Sequence, residues 1–232
     1  TSLSGQAVTD SVLVQLDGWK GRRVVDGGAA IVLGPGVAGS EANAALAPLG
    51  RKIGPDPASI ATCQVGGIAA NNASGMCCGT AQNSYRTVRA MKLVLADGTL
   101  LDTADPEHRR RLRETHAPLL DGLAALRREI LADAALAGRI REKYRIKNTT
   151  GYGLNSFLDF EDPVDVLLHL MVGSEGTLAF IAEITFATVE EHAHKASALV
   201  LFPDVETAAR ATQRLSGGPV SAVELMDRAS LR

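Results

Sequence analysis

The 232-residue chain is poor in aromatic side chains, 4%, and holds three cysteines, two of them adjacent as Cys77-Cys78. So few thiols make no disulfide framework and suit a reducing compartment, which points to an intracellular, cytoplasmic protein. The sequence also lacks the ~20-residue apolar run of a membrane-spanning helix and the basic-then-apolar opening of an export signal. Lysine is scarce, six against eighteen arginines, and the net charge is -2. That balance excludes a general basic field for nucleic acid, so a phosphate-bearing partner must be held by local geometry. Neither a G-x-S-x-G elbow nor a G-x-x-x-x-G-K-[ST] loop is present. His192-x-His194 could share one side of a strand, but no carboxylate or thiol stands at ligand spacing. The pair reads as a solvated strand edge, and no metal is expected.

What is abundant is glycine, 23 residues, about one in ten against a usual ~7%. The remaining composition, 46% hydrophobic and 22% charged, is that of a globular protein. Strands are expected at 11–16, 22–25, 29–33, 87–95 and 99–102, with tight turns at Asp26-Gly27-Gly28 and Ala96-Asp97-Gly98, where Asp-Gly tolerates left-handed backbone. Helices are expected at 40–49, in two or three pieces over 107–139, and at 163–171, followed by a strand through Ile181, Ile184 and Phe186. The run His108 to Arg113 reads as a charged helical face in solvent. A strand at 196–202, a helix at 204–215 capped by Gly217 and Gly218, and a strand at 219–225 form one unit that cannot bury a sheet alone. That unit, and an opening without Met, give the expectation of a piece of something longer.

Two glycine-rich loops invite a ligand reading. Gly34 to Gly39 matches G-x-G-x-x-G between a strand and a helix, but Pro35 removes an amide and no acidic residue follows at ~20 residues. It reads as a structural turn. The stretch 55–80 is more informative, because Gly66-Gly67, Asn71-Asn72, Gly75 and Gly79 offer free amides to an anion and amide side chains to a heterocycle edge. A ligand loop and a merely tight connection are about equally compatible with these residues.

Taken together, T-S-L-S-G-Q at 1–6, P-G at 35–36, G-P-D-P at 54–57, C-Q-V-G-G-I-A-A-N-N-A-S-G at 63–75, L-V-L-A-D-G-T at 93–99 and G-S-E-G-T-L-A-F-I at 173–181 occur in an order that resembles a known family. The family is the vanillyl-alcohol-oxidase (PCMH-type) FAD-binding flavoproteins, in the branch of FAD-linked D-2-hydroxyacid dehydrogenases acting on D-lactate, glycolate or D-2-hydroxyglutarate. The run K-Y-R-I-K-N-T-T-G-Y-G-L-N at 143–155 is similar to large members fused to a C-terminal iron–sulfur region.

The resemblance implies an α+β fold: residues 1–187 as a PCMH-type FAD-binding domain lacking its first subdomain, and residues 188–232 as the start of an α+β substrate, or cap, domain. It implies FAD contacts from Thr1, Ser2, Leu3, Ser4 and Gly5, the tail of a pyrophosphate loop. Further contacts are implied from Pro55, Asp56, Ile60, Thr62, Gly66, Gly67, Asn71, Asn72, Ser74 and Gly75, and from Gly176, Thr177 and Ile181. The implied reaction is hydride transfer from a small-molecule D-2-hydroxy acid to flavin N5, with an electron acceptor left open. Alternatives are another FAD oxidase or reductase of the superfamily, or a non-enzymatic scaffold. The family's H-x-x-x-x-G-D-G-N-x-H motif is absent, so no catalytic residue is named. Iron–sulfur clusters would belong to a region outside this chain, and the whole protein could be peripheral to a membrane. The chain alone is expected to be inactive, to hold FAD weakly, and to self-associate through apolar surface that an absent subdomain would cover.

Overall fold

The computed structural model describes residues 10–215, 218 and 220–230. The chain begins with the hairpin β1 (Arg22–Val25) and β2 (Ala30–Leu33), joined by Asp26-Gly27-Gly28 with φ of 52°, 61° and 98°. All three residues take the left-handed backbone for which the turn was read. α1 (Gly39–Leu46) follows, opened by Glu41, whose carboxylate reaches back to accept the Ala38 amide at 2.9 Å. The first capping residue is therefore Ala38, two positions before the expected Ser40.

After β3 (Arg51–Ile53) come α2 (Val65–Asn71), α3 (Ser84–Thr87), β4 (Val88–Val94) and β5 (Leu100–Asp102). Three helices fill the expected helical stretch: α4 (Pro106–Thr115), α5 (Ala117–Ala132) and α6 (Ala134–Lys143). Leu120, Leu123 and Ile130 of α5 are buried, whereas Leu119 and Leu126 face solvent. α7 (Ser156–Asp159), α8 (Pro163–Leu170), β6 (Phe180–Glu190) and α9 (Val205–Leu215) complete the order. None of the helices among the described residues is long and apolar enough to cross a membrane.

The antiparallel sheet has the order β1-β2-β6-β4-β5, and β3 pairs with the far end of β6. β6 is the spine. Its register against β4 slips between Lys92↔Glu183 and Leu93↔Ile181, so Ala182 is an extra residue. The bulge explains why Ile181 and Ile184, three apart, both point inward although strand side chains alternate with period two. Ile31, Leu33, Met91, Leu93, Ile184 and Phe186 form the inner face of the sheet, each no more than 1% exposed. Ala42 and Leu46 of α1, Ile68 of α2 and Val164 and Leu168 of α8 belong to the same core cluster. The fold is thus α+β, with helices packed on an antiparallel sheet.

Three expected strands are corrected. Residues 11–16 are coil, with Val12 79% exposed and no partner strand among the described residues. Residues 196–202 and 220–225 are also coil, while Pro219 lies outside the described residues. A strand satisfies its amides only beside a neighbour, and none is supplied here. The helix between them forms as α9, with no buried residue; Gly218 closes it by donating to Leu215 O at 2.8 Å, and Gly217 lies outside the described residues. His192 and His194 fall in exposed coil beyond β6 rather than on a strand.

Candidate cofactor site

The loop from Gly54 to Thr80 is organised by one carboxylate. Asp56 accepts the amides of Gly75 at 2.9 Å, Cys77 at 3.0 Å and Cys78 at 3.2 Å, so it ties the loop shut on itself. A Cβ on Gly75 would stand 1.8 Å from Asp56 O, so only glycine permits this approach. Burial raises the Cys78 thiol pKa, the nearby Asp56 adding to it, and keeps that thiol protonated.

α2 begins with Val65 donating to Val37 O at 2.8 Å and Gly66 to Pro35 O at 3.0 Å. The Gly66 amide is therefore spent within the protein rather than offered to an anion, and a Cβ there would meet Pro35 Cβ at 2.8 Å. The Gly34–Gly39 loop is likewise saturated. Gly34, Gly36 and Gly39 donate to the carbonyls of Gly21, Trp19 and Cys63, as its reading as a structural turn requires.

At the other end of α2, Asn72 turns left-handed at φ 52° and ends the helix. The turn Gly173-Ser174-Glu175-Gly176 docks there: Gly173 donates to Ala69 O at 3.1 Å, Glu175 to Ala70 O at 2.9 Å, and Asn71 Nδ2 to Glu175 Oε1 at 2.6 Å. A third segment crosses both loops. Lys147 Nζ donates to Gly75 O at 2.6 Å, Asn72 Nδ2 to Asn148 O at 3.1 Å, and Tyr152 OH meets Thr177 Oγ1 at 2.8 Å. Between this strap and the loops lies a cavity of about 30 Å³, lined in part by Asn72, Asn83, Tyr85, Arg86, Asn148 and Asn155.

Asn71, Asn72, Gly176 and Thr177 are thus brought together, and Asp56, Ser74 and Gly75 share the adjoining loop. Pro55 is buried; Ile60 lies by α1, its carbonyl accepting from Ser40, and Thr62 is exposed. Gly67 stands in the first turn of α2. Ile181 is 6% exposed within the core, paired to Leu93. Thr1, Ser2, Leu3, Ser4 and Gly5 lie outside the described residues. The strap residues Lys147, Asn148 and Tyr152 carried no role in the sequence reading. Their one trace there was the run 143–155, noted for its likeness to large iron–sulfur-fused members and not for any site residue.

These residues fit a flavin nucleotide. Ser174 Oγ and Asn155 Oδ1 are buried, 2% and 8% exposed by residue, with no hydrogen-bond partner among the described residues. Buried polar atoms are rarely left unspent, and a heterocycle bearing both donors and acceptors suits such a lining.

The fold is α+β, and its candidate site is the polar meeting of three segments at the end of α2. Residues 1–104 match the family described as FAD binding domain, and residues 191–232 match FAD linked oxidases, C-terminal domain. Both stretches are thus similar to FAD-linked oxidoreductases, the FAD-binding match lying ahead of the C-terminal-domain match. It is 27% identical over 203 residues to "Probable D-lactate dehydrogenase, mitochondrial" of Danio rerio, covering 85% of this chain. The chain spans 30% of the length of that relative. Among solved structures, alkyldihydroxyacetonephosphate synthase aligns with 74% of this chain and 22% of its own, at 15% identity and a TM-score of 0.41.

Proposed function

We propose that this chain is the FAD-holding part of an oxidoreductase that converts a D-2-hydroxy acid to the 2-oxo acid. The observation that carries the reading is the docking of the Gly173–Gly176 turn onto the end of α2, which joins segments far apart in sequence into one polar, partly unspent site. The substrate class is supported by the similarity to the zebrafish protein named a probable D-lactate dehydrogenase.

The chemistry that FAD supplies when bound is acceptance of a hydride at flavin N5 from the substrate α-carbon. The chain's own residues bind and orient. Asp56 fixes the Gly75–Cys78 loop, Asn71 fixes the 173–177 turn through Glu175, and Asn155 and Ser174 offer buried polar atoms. The base that takes the hydroxyl proton, the electron acceptor and any iron–sulfur clusters are assigned to regions outside this chain.

The test is anaerobic addition of D-lactate, D-2-hydroxyglutarate or glycolate to the FAD-loaded full-length protein while following flavin absorbance at about 450 nm. Bleaching by one acid is the expected result and selects the substrate. Protein that stays colourless after incubation with FAD would move the reading to a scaffold role; bound flavin that no hydroxy acid bleaches would move it to another oxidase or reductase of the family.

A further inference from the structure

We propose that Tyr152 is a further site residue, which with Thr177 presents hydrogen-bond acceptors to a donor group, N–H or O–H, of the bound ligand. This inference rests on the FAD and hydroxy-acid reading above.

The argument is a proton count. Thr177 Oγ1 lies 2.6 Å from Ser174 O, and a carbonyl oxygen only accepts, so the single Thr177 hydroxyl proton goes there. Tyr152 OH lies 2.8 Å from the same Oγ1. With the Thr177 proton spent, Tyr152 must supply the proton of that second bond. The order is fixed as Tyr152 to Thr177 to Ser174 carbonyl, and both hydroxyls keep only lone pairs for anything else.

Both residues are accessible, Tyr152 at 43%. The phenol is held from behind, because Tyr144 OH donates to Tyr152 O at 2.7 Å and receives the Leu154 amide at 3.1 Å. An acceptor pair repels carboxylate or phosphate oxygens and takes an N–H or O–H. FAD carries several such donors, but only two lie on the reacting groups themselves, the ring imide N–H of the flavin and the 2-hydroxyl of the acid, and it is one of these two that we assign to the pair.

The FAD-loaded wild-type protein and its Tyr152→Phe variant, which keeps the ring, separate the two sources. One arm compares the affinities of FAD and N3-methylated FAD by flavin fluorescence; the other compares D-lactate with propionate, which lacks the hydroxyl, as ligands of the protein with its flavin reduced beforehand, to which D-lactate cannot pass a hydride. In wild type the donor-bearing member is expected to bind about three- to tenfold more tightly in one arm, and Tyr152→Phe is expected to abolish that preference. Thr177→Ser, which keeps the relay, should preserve it; Thr177→Val should remove it. An unchanged preference in Tyr152→Phe, or equal weakening of both members of each pair, overturns the inference. Wild-type protein that binds no FAD overturns the functional reading itself, before any substitution is compared.

Discussion

The carbonyl oxygen of Asp56 stands where a side chain on Gly75 would have to go, 1.8 Å from an added Cβ, while the Asp56 carboxylate receives the Gly75 amide at 2.9 Å. One residue both closes the loop and excludes any other residue from its partner. Gly75→Ala must therefore displace backbone, not a flexible side-chain end, and a loss of about 1–3 kcal/mol is expected from such overpacking. Urea unfolding measures it. Wild-type stability in Gly75→Ala would show that the loop yields freely.

Asp56→Ala keeps the backbone but strands the amides of Gly75, Cys77 and Cys78. Bonds to a charged acceptor contribute about 1.5–3 kcal/mol each and are not additive here, so the expected loss is about 2–4 kcal/mol. Asp56→Asn should recover part of it, since an amide retains one acceptor oxygen but turns its NH2 toward one donor. Equal unfolding midpoints for Asp56→Ala and Asp56→Asn would contradict the ordering.

At Asn72 backbone and side chain can be separated. Its φ of 52° suits Asn or Gly, its Nδ2 donates to Asn148 O, and its Oδ1 receives the Tyr85 amide at 3.4 Å. Asn72→Gly should lose the side-chain bonds alone, about 1 kcal/mol. Asn72→Val adds a β-branched residue in left-handed backbone and should cost about 1–3 kcal/mol more. The comparison is again of unfolding midpoints, with Val below Gly as the expected order.

Much of this was legible in the sequence, for identifiable reasons. Asp26-Gly27-Gly28 and Asp97-Gly98 mark hairpins because their conformation is a local property of the turn. The helices at 106–143 are visible through 3.6-residue spacing. Strands at 11–16 and 196–202 were misread because apolar alternation says nothing about whether a neighbouring edge exists. The Ala182 bulge was invisible, being a property of register between β4 and β6. In the candidate site, glycine and asparagine pairs marked the loop that the 173–176 turn docks on, but the reason for Gly66 and Gly75 was hidden. Their neighbours, Pro35 and Asp56, are 31 and 19 residues away in the chain. Lys147 and Tyr152 were hidden likewise, since their partners Gly75 and Thr177 are known only from the fold.

Arg109 holds the helical excursion to the rest of the molecule. Its guanidinium donates to Asp165 and Asp162, both at 2.8 Å, and Asp162 also caps α8 by accepting the Val164 amide at 2.9 Å. Partial burial works against the Asp162 carboxylate, but the Val164 amide and Arg109 outweigh it and hold its pKa below the usual value. Arg109→Met keeps the stem and removes the fork. A loss of about 1–3 kcal/mol is expected, chiefly through Asp165, because Asp162 keeps the Arg113 guanidinium at 2.5 Å. Arg109→Lys should rescue only part of it, because an ammonium cannot span both acids in the same planar geometry. Thermal unfolding that ranks Lys level with wild type would remove the bidentate argument.

His169 gives the acid limb of stability. It is 7% exposed, stacks on Phe160 at a centroid distance of 3.8 Å, and donates from Nδ1 to Asp165 O at 2.8 Å, which leaves the neutral Nδ1–H tautomer. Burial lowers its pKa from 6.5, against the pull of the Asp165 carbonyl and of the Asp165 and Asp159 charges, while Arg86 assists the lowering. The unfolded chain therefore binds a proton near pH 6.5 that the folded chain refuses. Stability contributed by this residue is complete above that value and declines as pH falls from it toward the lower folded pKa. His169→Asn can mimic the Nδ1–H donor but does not titrate, so its unfolding free energy should be flat between pH 7 and 5 relative to wild type. That window lies above the Asp97 carboxyl, which the Thr99 amide and then His116 hold down at about 2. Urea unfolding of both proteins across the window decides the matter, and parallel curves would show that His169 takes up its proton in the folded protein.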